Sequence, residues 1–168
     1  PPCRSWRAWP RHLIAYWKST MQINIKKLSP LAKMPTYATD GSGCFDLYSI
    51  NKLPILVHEG WPVTFDTGLA FEIPIGYAMF ILSRSGHGFN FDTRLANCVG
   101  VIDSDYRGEI KVRLTCDIEH NEAMPLTVMP GDRIAQACIL PVPKVSFAFV
   151  DSLGSTERGA GGFGSSGA

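Results

Sequence analysis

The stretch Glu109–Ile118, "EIKVRLTCDI", decides the fold class. Ile110, Val112, Leu114, Cys116 and Ile118 fall on one side of a two-residue period. Glu109, Lys111, Arg113, Thr115 and Asp117 fall on the other. Apolar residues at alternate positions line one face of an extended chain, whereas a helix needs them three and four apart. The stretch therefore reads as a strand with one buried and one wet face. Outward from it, "INIKKL", "CFDLYSI", "LAFEI", "YAMFIL", "RIAQACIL" and "VSFAFV" are further strand candidates, punctuated by the turn-forming clusters "EGWP", "IPIG" and "MPGD". Many short strands with Gly/Pro punctuation and no long helical pattern predict an all-β fold, a jelly-roll-like barrel or sandwich. The run "ERGAGGFGSSGA" (157–168) predicts a flexible, glycine-rich C-terminal tail.

Three segments follow: 1–20 as a leader, 21–153 as the β domain and 154–168 as the tail. Residues 1–20 hold Arg4, Arg7, Arg11 and Lys18, no acid, and three of the four tryptophans. Prolines and tryptophans make this a poor amphipathic targeting helix, so it is read as a non-native or disordered leader with Met21 as the natural start. The remaining twelve basic residues stand against fifteen acidic ones, a charge near −3 that argues against non-specific nucleic-acid binding. No apolar run has the length of a membrane span, so no stable nucleic-acid or membrane partner is expected. Cys3, Cys44, Cys98, Cys116 and Cys138 show neither zinc-ligand spacing nor an even disulfide framework, which fits reduced thiols and a cytoplasmic protein.

Several clusters interrupt the strands with polar residues and glycine. In "GSGCFDLYS", Asp46 lies within an apolar strand, and such an aspartate is most often simply outward-facing. "SRSGHG" (83–88) ends a strand with Arg84, Ser85 and Gly86, able to turn donors toward an anion or to form a plain surface turn. "LANCVGVIDSDYRGEI" (95–110) reads as a β-hairpin with its tip at 103–108. Asn97 offers a donor and an acceptor, and Gly100 removes bulk beside the backbone. "PGDRIAQ" (130–136) starts with a turn and carries Arg133 and Gln136. A P-loop is absent.

Taken in order, "GCFDLYS", "RSG", "NCVGVIDSDYRGEI", "GDRIAQ" and "RGAGGFGSSG" resemble the five motifs of the homotrimeric dUTPases. The resemblance implies a jelly-roll trimer with shared active sites that hydrolyses dUTP to dUMP and pyrophosphate with Mg²⁺. It assigns Asp103 as the general base for the attacking water, and Tyr106 as the platform under the deoxyribose. Asn97 and the backbone of Gly100, Val101 and Ile102 would read uracil. Arg84, Ser85, Gly86 and Gln136 would hold phosphates, with Lys111 near the substrate side. Asp46 would touch the metal through water, and Arg133 would be structural, paired with a carboxylate. In the tail, Arg158 would bind the γ-phosphate and Phe163 would stack on uracil. Gly164 and Ser165 would add donors.

Departures from the family pattern are Cys44 in place of glycine, His87-Gly88 where Leu-Ala is frequent, and "GSSG" where "GSTG" is common. The His87-Gly88 pair predicts a more flexible turn and an altered subunit contact. Three rival functions differ testably. A dCTP deaminase needs a glutamate base and would release ammonia. A regulatory protein with this body would act through partners, and a capsid-type jelly roll has no reason to keep Asp103, Tyr106, Arg158 and Phe163.

Overall fold

The computed structural model describes residues 21–117 and 125–162. The leader and Phe163, Gly164 and Ser165 lie outside the described residues. Among those described, twelve strands and one short helix follow each other as β1 (Asn24–Lys27), β2 (Thr36–Tyr37), β3 (Phe45–Tyr48), β4 (Ile55–Val57), β5 (Val63–Asp66), β6 (Leu69–Glu72), β7 (Tyr77–Leu82), α1 (Ser85–Phe91), β8 (Thr93–Leu95), β9 (Val99–Ile102), β10 (Lys111–Cys116), β11 (Leu126–Val128) and β12 (Arg133–Pro141). A five-stranded sheet runs β2-β3-β12-β7-β9, and a three-stranded sheet runs β5-β10-β8. The pairs β1-β6 and β11-β4 complete the jelly-roll-like, all-β body.

The alternation that predicted β10 is what the structure shows. Val112, Leu114 and Cys116 are buried, while Lys111 and Arg113 face solvent. Their apolar face meets Leu47, Met79, Ile81 and Ile134 of the five-stranded sheet in one core, closed by Phe65, Leu95 and Val57. The predicted turns also form. In "MPGD", Pro130 and Gly131 occupy the central positions, Gly131 has φ +78° and Asp132 N–H donates to the Met129 carbonyl at 3.1 Å. A proline followed by a residue at positive φ is the signature of a type II turn.

Three expectations are corrected. First, "VSFAFV" forms no strand. Phe147 and Phe149 are fully exposed, and no hydrogen bond joins residues 145–150 to another described residue. Second, the 95–110 segment is not a hairpin. β9 pairs with β7, whereas β10 pairs with β5 and β8, so the chain between them crosses from one sheet to the other.

That crossing is pinned to the β5–β6 turn. Ile110 N–H donates to the Leu69 carbonyl at 2.8 Å, and the buried Thr67 hydroxyl donates to the Ile110 carbonyl at 2.7 Å. Gly68 N–H donates to Glu109 Oε1 at 2.8 Å. Turn-forming residues at 103–108 thus make a corner whose backbone groups are satisfied by another part of the chain.

Third, His87-Gly88 is no flexible turn. It lies in the first turn of α1, where His87 and Gly88 N–H groups both donate to the Arg84 carbonyl and His87 is buried.

Candidate active site

Antiparallel register sets Asp46 and Gln136 side by side on the outer face of the large sheet. Asp46 stands opposite Gln136, Gln136 opposite Leu82, and Leu82 opposite Val99. Directly opposed residues share a face, and three inter-strand steps of about 4.8 Å span about 14 Å. One end of this row is a charged cluster and the other is the edge strand β9.

At the charged end Asp46 is not the solvent-facing residue its lone position suggested, being only 8% exposed. Its two oxygens are divided between two guanidinium groups. Arg133 Nη1 lies 3.2 Å from Oδ2, and Arg84 Nε lies 3.6 Å from Oδ1. The expected pairing of Arg133 with a carboxylate is therefore present, and Arg84 joins it. A buried carboxylate stripped of water needs such neighbours, because an unpaired buried charge costs several kcal/mol, roughly 3–5 when a partner is removed.

Arg84 precedes α1 as its N-cap, in extended conformation. Its Nη1 also donates to the Arg133 carbonyl at 3.2 Å and meets His87 Nε2 at 3.0 Å. Ser85 and Gly86 follow in the first turn, exposed, where helix geometry leaves N–H groups without intrahelical acceptors. Gln136 Nε2 donates to the Ser83 carbonyl at 3.0 Å, which ties the β7 end to β12. Beside this cluster the Cys44 thiol is pushed above its ordinary pKa by burial, with the Cys138 thiol and Asp46 adding to the effect.

Beside β9 a cleft of about 630 Å³ is lined by Asn97, Gly100, Val101, Ile102 and Lys111 together with Pro62, Ile81, Leu95, Ala96, Val112 and Arg113. β9 is the edge of its sheet, so backbone donors and acceptors on its free side are not used by a neighbouring strand. Gly100 serves packing as well as space. A Cβ there would sit 3.2 Å from that of Ile81, so glycine lets β9 lie close against β7. Asn97 starts the tight link into β9, with Cys98 at φ +62° and Val99 N–H donating to the Asn97 carbonyl at 2.7 Å.

Asp103 and Tyr106 follow on the corner. Asp103 is exposed, and its carbonyl accepts from Tyr106 N–H at 3.2 Å. The Tyr106 hydroxyl donates to the Glu109 carbonyl at 3.1 Å, and its ring covers Gly108, where an added Cβ would come within 2.4 Å of the phenol oxygen. Lys111 Nζ lies 2.6 Å from Asp66 Oδ1 and 3.4 Å from Glu109 Oε2, and the Asp66 hydrogen bond raises its pKa. This lysine therefore brings little unbalanced charge to the cleft. Arg158 stands apart, its Nε donating to the Gly161 carbonyl at 2.8 Å.

Two assemblies thus emerge from the site residues read in the sequence. Asp46, Arg84 and Gln136 gather around a charged cluster; Asn97, Gly100, Val101, Ile102 and Lys111 line one cleft, with Asp103 and Tyr106 next in the chain. Sequence reasoning missed His87, whose three-residue spacing from Arg84 suits contact across one helical turn. It also missed Pro62, Leu95, Ala96 and Arg113, which carry no motif signal. Chemically, the guanidinium cluster suits an anionic group, and the amide edges of the cleft suit a polar ring.

Comparison with known proteins agrees. The dUTPase family model matches residues 31–167. The deoxyuridine 5'-triphosphate nucleotidohydrolase of Nautilia profundicola is 47% identical over 148 residues, 88% of this chain and 99% of that one. Its counterpart in Anaplasma marginale is 43% identical over 134 residues, 80% of this chain and 88% of that one. Among solved structures, the dUTPase of Staphylococcus bacteriophage 80alpha with dUPNHPP superposes with a TM-score of 0.76 at 26% identity, over 89% of this chain and 100% of that one. Fold, ordered motifs and relatives converge, and the chain belongs to the dUTPase family.

Proposed function

We infer that this chain hydrolyses dUTP to dUMP and pyrophosphate, which keeps uracil out of DNA and supplies dUMP for thymidylate synthesis. The observation that carries the reading is the cleft beside the edge strand β9, where Asn97 and the backbone of Gly100–Ile102 stand together and Asp103 follows at once. A free strand edge offers a pyrimidine the same alternating donors and acceptors that a neighbouring strand would use. A rigid edge also discriminates sterically against a methyl group at the position where thymine differs.

In this reading Asp103 accepts the proton of the water that attacks the α-phosphorus; exposed beside the cleft, its carboxylate is open to such a water. Tyr106, held by its bond to the Glu109 carbonyl, supports the deoxyribose and leaves no room for a 2′-hydroxyl. Arg84, Ser85, Gly86 and Gln136 bind the phosphates, with Lys111 at the cleft wall. Arg158 and Phe163 close over the γ-phosphate and the base, and Gly164 and Ser165 add donors. The protein works in the cytoplasm.

Magnesium fits this chain only in an outer role. Both Asp46 oxygens face guanidinium groups, and no group of three or more metal-ligating side chains occurs among the described residues. That suits Mg²⁺, which keeps several waters and takes direct ligands from phosphates, with Asp46 reached through water. When bound, it would neutralise charge on the triphosphate. The exposed Val145, Phe147, Phe149 and Val150 support assembly as a homotrimer with shared sites, since a period-two apolar stretch this bare needs another surface.

The test is pyrophosphate release from dUTP, dCTP, dTTP and UTP by the parent and Asp103→Asn. Turnover of dUTP alone is expected, with a loss of about 10³-fold in the variant. Comparable use of UTP would remove Tyr106 from its role, and an active variant would remove Asp103 from its own. Ammonia from dCTP would make the chain a deaminase.

A further inference from the structure

Arg84 has five N–H donors and no acceptor, so every contact it makes to a nitrogen or oxygen is one it donates. Nε faces the Asp46 carboxylate, and the two Nη1 hydrogens are shared by the Arg133 carbonyl at 3.2 Å and His87 Nε2 at 3.0 Å. Nη2 has no partner among the described residues. Two of the three guanidinium nitrogens are therefore engaged by three protein groups, and Nη2 is left free.

The fixing contact from His87 has strict requirements. Nε2 accepts from an arginine only if it carries no proton, so the neutral ring bears its hydrogen on Nδ1. An imidazolium would set N–H against N–H. Burial of the ring, with help from Arg84 and Arg133 and against the opposing effect of Asp132, lowers its pKa to about 4. Nδ1 is itself buried, without a hydrogen-bond partner among the described residues. The ring thus keeps a poorly satisfied position while its other nitrogen serves Arg84. The α1 backbone enforces this, since His87 and Gly88 N–H groups both return to the Arg84 carbonyl and hold residues 84 and 87 on one turn.

We propose that His87 is a positioning residue for phosphate binding: its Nε2 lone pair holds Nη1 of the Arg84 guanidinium, so that Nη2 is left for the triphosphate. The inference rests on the dUTP reading for its substrate, though not for the grip on an anion. Leucine at this position would fill the same buried space without an acceptor, so Arg84 would have to be steadied by Asp46 and the Arg133 carbonyl alone.

The test compares His87→Leu, His87→Gln and His87→Asn by KM and kcat for dUTP and by calorimetric affinity for inorganic tripolyphosphate. Glutamine can place its carbonyl oxygen where Nε2 lies, and asparagine is too short to do so. Loss of a hydrogen bond to a charged group predicts a rise of about tenfold in KM for the leucine and asparagine variants, with kcat little changed. Glutamine should restore KM to near the parental value. Tripolyphosphate affinity should follow the same order. An unchanged KM and affinity in the leucine variant would overturn the proposal, as would glutamine performing no better than asparagine. A leucine variant that fails to fold leaves the glutamine and asparagine pair to decide. If the parent does not hydrolyse dUTP, the activity reading fails by itself, and tripolyphosphate binding still decides the role of His87.

Discussion

Asp46 on β3 and Phe149 beyond β12 break the same rule in opposite senses. The first is a carboxylate buried to 8% exposure, and the second is an aromatic ring fully exposed. Around Asp46 the chain supplies its own partners: Arg84 and Arg133 meet both carboxylate oxygens, and His87 meets Arg84 in turn. Around Phe149 it is incomplete: Val145, Phe147, Val150 and Leu153 are bare as well. Water tolerates neither arrangement cheaply. An apolar patch of this kind marks a surface meant to be covered, while the buried Asp46 carboxylate is already paired within the chain. The charged cluster is thus built by one chain, whereas the exposed segment after β12 lacks any cover among the described residues.

The largest effects that would break this contrast are expected beyond β12. Phe147→Asp with Phe149→Asp should leave the circular-dichroism spectrum of the β body intact, since neither ring touches the core, and should lower the assembled mass seen by light scattering. Deleting Ser155–Ala168 should cut kcat by about a hundredfold with assembly retained, because closure that excludes water and orients phosphates contributes at this scale. A doubly substituted chain of unchanged mass would mean that the exposed aromatics cover nothing.

The converse effect, smaller and confined to stability, is expected at Asp46. Asp46→Asn leaves two guanidinium groups facing an amide. Because Arg133 remains about half exposed and Arg84 partly so, the cost should fall below that of a fully buried pair, at about 2 kcal/mol. Urea titration would measure it, and a shift under 0.5 kcal/mol would show the cluster to be solvated in practice.

The sequence made some of this legible and hid the rest for identifiable reasons. β10 could be read outright because its alternation faces one core, and the turn at Pro130-Gly131 because its backbone chemistry is local. The same period of two in "VSFAFV" marks an apolar face without saying whose surface covers it, so the strand read there has no partner among the described residues. Residues 103–108 signal a reversal, but the Ile110 and Thr67 bonds that turn it into a corner between sheets come from residues far away in sequence. α1 was obscured by its two glycines and its seven-residue length. Asp46 does lie on the outer face, but its burial there was hidden because it depends on two arginines that sequence places 38 and 87 residues away.

His87 offers the finest test of how self-contained the charged cluster is. Its ring takes up a proton only near pH 4 when folded, against an ordinary value of 6.5. Between those values the unfolded chain binds a proton that the folded chain refuses, so acidification through this window favours unfolding. Above pH 6.5 the group contributes nothing to the pH dependence; below 4 its destabilising effect is complete. Arg84 and Arg133 face the ring and oppose its protonation, while Asp132 favours it. From pH 7.5 to 5 the parent should therefore lose about 1 kcal/mol more stability than His87→Leu, after allowance for screening in a pocket that solvent partly reaches. Parallel stability curves for the two proteins would mean that the ring takes up its proton in the folded state near the ordinary value. A charged imidazolium would then stand beside Arg84 at pH 5, and the cluster would admit water more freely than its packing implies.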